Sequence, residues 1–363
     1  MDLPVLLATR DDALLGDLLR LAAAAGVTLD VAHDPASALQ SWSSASLVLV
    51  GADTAAELAP HRPVRHDHVH VVGTGPLPDR VFRDAVAVGA RDVVELPQAE
   101  PWLVELLGDV ADGTTTLART VAVVGGSGGA GASTFAAALG QVAARAAPAT
   151  VVDLDPWGPG LVRLLGYDEV DGVRWDGLLG AHGRLGSRAL RAALPTREQL
   201  ALLGFGSGEV RQPDDAVVRE VVAAAQRSCD VLVLDLPRTA AGPSPSAAAP
   251  ALARCDAAVL VAHATVSGVA SAARVAARLS QPQRVAGVVV RTSSGAVDSD
   301  RVAAALDLPL LADYPSRRRV VEPVDLGLGP VPGGRPLRGP LAAAARDALL
   351  ALGVDARARR GRR

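Results

Sequence analysis

The glycine run Val121-Ala-Val-Val-Gly-Gly-Ser-Gly-Gly-Ala-Gly-Ala-Ser-Thr134 brings together the residue types that hold a phosphate. Glycines let a backbone pass close to a phosphate in conformations closed to other residues. Loop amides that run into a helix N-terminus then form an anion site. Gly126, Gly131 and Ser133 fit the frame G-x-x-x-x-G-K-S/T, with Ala132 standing where the lysine belongs. The Ser133 hydroxyl is of the type, and at the position, that holds Mg²⁺. Two more apolar runs end in acids: one in Asp153 and Asp155, separated by a single residue, the other in Asp235. Carboxylates at strand C-termini beside a glycine loop lie where open α/β sheets bind ligands. An acid at Asp235 can complete a Mg²⁺ shell, while the pair Asp153 and Asp155 can orient an attacking water.

The same run satisfies two other patterns. Gly126-Ser-Gly-Gly-Ala-Gly131 reads as G-x-G-x-x-G, with Asp153 after the next strand as the acid for a ribose. That dinucleotide reading makes no use of Ser133-Thr134 or of the Asp235 strand, and a chain without lysine cannot carry a Tyr-x-x-x-Lys pair. Gly125-Gly-Ser-Gly-Gly129 also reads as the nucleophile elbow G-x-S-x-G, with His263 downstream but no acid placed beside it.

The elements that must position these groups follow from the apolar pattern. The four residues 121–124 read as a strand feeding the loop, and the alanine-rich stretch 135–147 as the helix leaving it. Further strands are expected at 150–155, 200–204, 228–237, 259–262, 286–290 and 308–315, a short helix at 173–179 and a loop at 238–250. Trp175 reads as a core anchor. Before residue 115, short apolar strands at 5–8, 28–32, 47–50, 68–72 and 92–96 alternate with helical segments at 11–25 and 79–88. Five strands alternating with helices predict a parallel, doubly wound sheet. The fold class is therefore α/β with two doubly wound domains: an N-terminal flavodoxin-like one and a C-terminal P-loop NTPase domain with a mostly parallel sheet. The expected boundaries are 1–112, a polar linker at 113–118, 119–352, and a basic tail at 353–363.

Composition bounds the partners. The chain has 363 residues, 49% of them hydrophobic, with a formal net charge of -3, enough for two domains with substantial cores and contrary to broad coating of nucleic acid. Lys, Ile and Asn are absent, which we read as coding bias. No apolar stretch is long enough to cross a bilayer and residues 1–10 lack a signal-peptide pattern, so the expected location is cytoplasmic. Cys229 and Cys255 each precede an Asp and a strand and read as structural. His61, His66, His68 and His70 lack an acidic or Cys partner at ligand spacing and read as a polar approach to a strand.

Residues 3–112 resemble a response-regulator receiver domain whose chemistry is lost. Gly51 stands where the third strand would end in the phosphoacceptor Asp, the acidic pair is displaced to Asp11 and Asp12, and Glu95-Leu96-Pro97 lacks the lysine. Asp53 is the one alternative acceptor. Residues 119 to about 350 resemble the MinD/ParA group of deviant Walker ATPases, and the whole architecture its CpaE/TadZ branch, in which a degenerate receiver precedes the ATPase. The family core K-G-G-x-G-K-S/T-S/T falls on Ser127, Gly128, Gly129, Ala130, Gly131, Ala132, Ser133 and Thr134, so both of its lysines are replaced. Asp153 and Asp155 match the family's D-x-D, and Asp235-Leu-Pro237 its Walker B ending. Arg291 lies where the family often has an adenine-reading Asn, and Tyr314-Pro315 resembles the loop beside the base.

The resemblance implies ATP and Mg²⁺ as ligands, with Ser133 and Asp235 on the metal and a homodimer as the working unit. Losing a charged hydrogen bond to phosphate costs about 1.5 to 3 kcal/mol. Binding can survive that cost, whereas fast hydrolysis cannot. Arg163, Arg238 or residues 317–319 are the sequence's substitutes for the missing charge. Asp235-Leu-Pro-Arg-Thr239, Pro315-Ser-Arg-Arg-Arg319 and Arg338-Gly-Pro-Leu341 extend the resemblance to actinobacterial septum-site-determining, CpaE-like proteins of the helicase/secretion neighbourhood. A positioning role follows, in septum-site determination or in localising and assembling a Flp/Tad-type pilus or secretion apparatus, with division, pilus or secretion proteins as partners. The alternative is a nucleotide-independent pseudo-ATPase scaffold. The tail Arg357-Ala-Arg-Arg-Gly-Arg-Arg363 can dock on anionic lipid at the inner face of the membrane.

Overall fold

The computed structural model describes residues 4–66, 68–111, 117–180, 185–208, 210–241, 248–279, 285–293, 297–316, 321–331 and 339–354. The chain divides into two compact units, Met1–Thr116 and Leu117–Arg363. Residue 112, residues 113–116 of the expected linker, the arginines at 317–319 and the basic tail from 355 onward lie outside the described residues.

The N-terminal unit is one parallel sheet of β1 (Val5–Ala8), β2 (Leu29–Ala32), β3 (Leu47–Gly51), β4 (Val69–Thr74) and β5 (Asp92–Leu96), in the order β2-β1-β3-β4-β5. That is the flavodoxin-like winding expected from the sequence. β1 and β3 are buried along their whole length, as leucine and valine strands covered by helices on both faces must be. Asp11, one of the displaced acids, caps the helix Asp12–Ala25 through Ala13 N and Leu14 N, so its carboxylate is engaged in local structure.

The C-terminal unit builds an eight-stranded sheet from β6 (Arg119–Gly125), β7 (Ala149–Asp153), β8 (Thr196–Arg197), β9 (Leu200–Leu203), β10 (Val231–Leu236), β11 (Ala257–His263), β12 (Val285–Thr292) and β13 (Leu310–Pro315). Its order is β13-β12-β11-β6-β10-β7-β9-β8, parallel throughout except for the β8 and β9 pair at one edge. The short strand β8 and the helices Ser187–Ala193, Asp215–Ser228, Val266–Leu279 and Ser299–Leu306 are among the additions to the sequence reading. The rest of the expected strands form within one to three residues of their expected ends.

β6 sits at the middle of this sheet and shares its residues between two cores. Ala122 and Val124 pack with Leu203, Val218 and Trp175 on one face. Val121 and Val123 pack with Phe135, Leu139 and Leu349 on the other. Burying each of the valine, leucine and phenylalanine side chains contributes about 1.5 to 3 kcal/mol, so the strand that feeds the glycine loop is held from both faces. The helix after the loop, Ala132–Ala143, closes tightly on the sheet at Gly140, where an added Cβ would stand 2.2 Å from Val151 Cγ2. Gln141 on that helix ties down the segment 328–331, donating to the Leu328 carbonyl at 3.1 Å and accepting from Val331 N at 2.9 Å.

Candidate functional site

β6 ends at Gly125, and the chain turns at once through the glycine run. Gly129 and Gly131 adopt φ of +70° and +97°, conformations that only glycine takes without strain. A Cβ added to Gly128 or Gly129 would meet nothing within 4 Å, so the loop lies open along that side. The helix Ala132–Ala143 has no side-chain cap at its N-terminus. Elsewhere Asp11, Asp34, Asp214 and Asp298 cap theirs. Other helices, among them Asp79–Ala87 and Ser187–Ala193, also lack such a cap, but the first residues of the loop helix line the cleft, where their amides can meet an anion.

Beneath the loop lie the acids. Asp235 on β10 stands in register with Asp153 on β7, and both are nearly inaccessible, at 2% and 1% exposed. Burial, and then the charge of Asp153, push the Asp235 carboxyl well above the usual range, while the facing Ser133 side chain offsets part of the rise. Burial likewise raises Asp153 to about 6. Asp153 accepts from Asp155 N at 3.1 Å and from Leu161 N at 2.9 Å, and its carbonyl receives Trp175 Nε1 at 2.7 Å. It therefore fixes the turn after β7, with Trp175 the fully buried anchor expected of it. Both Asp153 oxygens being engaged by backbone amides, this residue has no carboxylate edge left for a ribose. Asp155, two residues further on, lines the cleft together with Ser133 and Asp235.

The cleft has a volume of about 990 Å³, within the range of small-molecule sites. Gly128, Gly129, Ala130, Gly131, Ala132, Ser133 and Thr134 all line it. A buried pair of raised carboxyls next to a hydroxyl is a site that a cation relieves. Among the described residues no group of three or more His, Cys, Asp or Glu can hold a metal by itself, so a cation here needs ligand oxygens as well, which is how Mg²⁺ is commonly bound with phosphates. On this chemistry Ser133 and Asp235 can hold Mg²⁺, and the uncapped amides of the loop can hold phosphate oxygens.

β12 contributes Arg291 to the lining of the cleft, and β13 carries the buried Tyr314. Arg291 reaches the loop, donating from Nη1 to the Gly129 carbonyl at 3.0 Å, and its Nη2 donates to Ser316 Oγ at 2.8 Å. Tyr314 stacks parallel to Phe135, with centroids 6.1 Å apart. Its Oη has no hydrogen-bond partner and lies 3.0 Å from where a Cβ on Gly131 would be. Burial raises the phenol to about 12, so it is a donor at any working pH. Of the arginines singled out from sequence, Arg238 lines the cleft, whereas Arg163 pairs with Asp168 at 3.3 Å in a neighbouring hollow. Arg274 and Arg278 on the helix Val266–Leu279 also line the cleft. Sequence reasoning missed them, because charges on the outer face of a helix carry no signal of what they face.

In the N-terminal unit the third strand does end at Gly51, and the space of the missing side chain is taken. A Cβ built there would fall 2.1 Å from Asp53 Oδ1. Asp53 accepts from Thr9 Oγ1 at 2.9 Å and from Arg10 N at 2.8 Å. Of the histidine cluster, His70 is buried in β4 with its ring edge against Trp102, and burial lowers it to about 4. His66 and His68 meet edge to face, with ring centroids 6.2 Å apart. Cys229 and Cys255 are both buried, outside any disulfide, and donate to the Ala225 and Ala251 carbonyls at 3.2 Å.

Comparisons with known proteins agree with this division. A family model described as Rv3660c-like, CheY-like N-terminal domain matches residues 8–118. The Mycobacterium tuberculosis (strain ATCC 25618 / H37Rv) protein Rv3660c is 36% identical over 328 residues, covering 87% of this chain and 90% of its own length. Among solved structures, the septum site-determining protein MinD complexed with Mg-ADP from Pyrococcus horikoshii OT3 aligns with a TM-score of 0.54 and 23% identity, over 66% of this chain and 96% of its own. A ParA family ATPase from Chlorobium tepidum TLS aligns with a TM-score of 0.52 and 16% identity, over 64% of this chain and 98% of its own. At those identities the likeness concerns the fold, and the C-terminal unit has the MinD-like P-loop NTPase fold behind a CheY-like N-terminal domain.

Proposed function

Because this chain belongs to the Rv3660c-like family, and its C-terminal unit has the fold of MinD and ParA ATPases, we propose that it is an ATP-binding positioning protein of the CpaE/TadZ branch. On this reading residues 1–112 are a degenerate receiver-like domain, 113–118 a linker, 119–352 the ATPase domain and 353–363 a basic tail. Its work is septum-site determination, or the localisation and assembly of a Flp/Tad-type pilus or secretion apparatus. It acts as a cytoplasmic homodimer that meets division, pilus or secretion proteins, with the tail touching the inner face of the membrane. Among the described residues no helix is long and apolar enough to cross a membrane.

One observation carries the nucleotide half of this reading: the Ser133 side chain faces the buried Asp235 carboxylate directly beneath an uncapped glycine loop. Ser133 and Asp235 would hold Mg²⁺, and Gly128 to Thr134 the phosphates. Bound Mg²⁺ would supply charge neutralisation between the phosphates and the acids. Asp155 would orient water, and Asp153 would hold the turn that carries it. With Ser127 and Ala132 in place of the two lysines, hydrolysis is slow or absent. Calorimetry of Mg·ATP on the purified protein, beside Asp235→Ala, tests the reading: binding that the variant loses supports it. Absence of binding to the unaltered protein at millimolar ATP refutes it and leaves the scaffold.

The scaffold reading has its own observation. Arg291, at the position where the resembling family reads adenine, already bridges the Gly129 carbonyl and Ser316. If the Arg291→Asn variant binds Mg·ATP and the unaltered protein does not, that bridge is what closes the site.

A further inference from the structure

A nucleoside triphosphate brings several negative charges, and backbone amides alone leave them largely unneutralised. In P-loop proteins a lysine of the loop meets the β- and γ-phosphates. Here no lysine exists anywhere in the chain, so beyond a bound Mg²⁺ the charge must come from arginines on other elements; of those lining the cleft, Arg291 is engaged with Gly129 and Ser316, and Arg238, Arg274 and Arg278 remain.

The helix Val266–Leu279 is built to deliver it. The helix lies directly on the start of the loop: Ser271 Oγ donates to the Gly126 carbonyl at 2.7 Å. A Cβ on Gly126 would collide with Ala272 Cβ at 2.6 Å. Residues three and four apart share a helix face. Counting from Ser271, that face continues through Arg274, Val275 and Arg278, and all four residues line the cleft. Arg20, Arg145 and Arg163 are each paired with an acid, but among the described residues neither Arg274 nor Arg278 has such a partner. The helix therefore directs two uncompensated guanidinium groups at the cleft that holds the loop amides, Ser133 and Asp235.

We propose that Arg274 and Arg278 are phosphate-binding residues, so that the positive charge lost from the loop at Ser127 and Ala132 is supplied in cis by the helix Val266–Leu279. This rests on the nucleotide reading above and names the residues that make it feasible. A guanidinium also suits the task, since its planar fork meets phosphate oxygens two at a time.

The test measures Mg·ATP affinity of the full chain by calorimetry for the unaltered protein and for Arg274→Ala/Arg278→Ala, each with and without Ala132→Lys added. The double variant should bind about 100-fold or more weakly, the product of two lost charge-assisted hydrogen bonds, with a shallower dependence on salt. Alanine favours helix, so circular dichroism and melting temperature should hold. Restoring the loop lysine should recover at least about 10-fold in the double variant and clearly less in the unaltered protein, a dependence on background that a merely structural role for the arginines would not give. If the unaltered protein and the double variant bind alike, the arginine proposal fails and the nucleotide reading stands. If the unaltered protein does not bind, the nucleotide reading fails and this proposal fails with it.

Discussion

At the carboxyl end of β3 the N-terminal unit has Gly51, and at the carboxyl end of β6 the C-terminal unit has a glycine loop without its lysines. Both are the ligand ends of doubly wound sheets, and each lacks a residue on which its fold's usual chemistry depends. They differ in what has become of the space. In the first unit Asp53 has moved into it, and both of its oxygens are taken by Thr9 and Arg10. In the second the loop stays open, the helix behind it stays uncapped, and the acids beneath it stay raised by burial. Polar groups that no longer meet a ligand are costly when unpaired, so an abandoned site tends to satisfy itself internally. By that measure the receiver-like site has closed on itself, while the glycine-loop cleft stays open apart from the bridge of Arg291 to the Gly129 carbonyl.

The comparison breaks most readily at Gly131. Its φ of +97° and its 3.0 Å clearance to Tyr314 Oη admit no β-branched side chain. Gly131→Val should weaken Mg·ATP binding by about 100-fold or more, on the order of 3 kcal/mol of backbone strain, as read by calorimetry. The counterpart is Gly51→Ala, whose new methyl would displace Asp53 from Thr9 and Arg10. We expect about 1 to 3 kcal/mol lost from the N-terminal unit, seen as faster hydrogen exchange in its peptides, with Mg·ATP affinity unchanged. A drop in affinity would show that the first site is still coupled to the second.

A smaller effect sharpens the contrast, because the units should respond to pH with opposite sign. His70 is lowered by burial from 6.5 to about 4, so its neutral form is the folded one, and the N-terminal unit loses stability as pH falls through that window. Asp153 is raised by burial from 3.8 to about 6, so its protonated form is favoured on folding. The C-terminal unit then loses stability as pH rises from about 4 to about 6. Hydrogen exchange resolved by peptide should show the two trends, each a few degrees when expressed as melting temperature. Mg²⁺ should blunt the second trend alone; equal protection of both units would sever the link between the raised acids and a cation.

Much of this was legible in the sequence where the signal is local. The glycine frame, the D-x-D pair and Asp235 at a strand tip are read from spacing along a few residues, and the apolar strands of both units from runs of Leu and Val. Legibility failed where a site is assembled from distant faces. Arg274 lies far along the chain from Gly126, and only the packing of Ala272 on that glycine reveals which way the helix points. The partition of labour between Asp153 and Asp155 was equally hidden, since two acids one residue apart look alike until one is found bound to Leu161 N and the other lining the cleft. The substitution of Asp53 for Gly51 needed the third dimension too, as nothing in the sequence says that a helix residue folds back over the strand end before it.

Trp157, two residues after Asp155, lines the cleft while 86% of its surface remains open to solvent. Trp42 and Trp175 are sealed in cores, and Trp102 packs against His70 in the other unit. The chain thus carries its own optical gauge: a change in emission on adding a ligand, lost in Trp157→Phe, would report occupancy or closure of the cleft without any label.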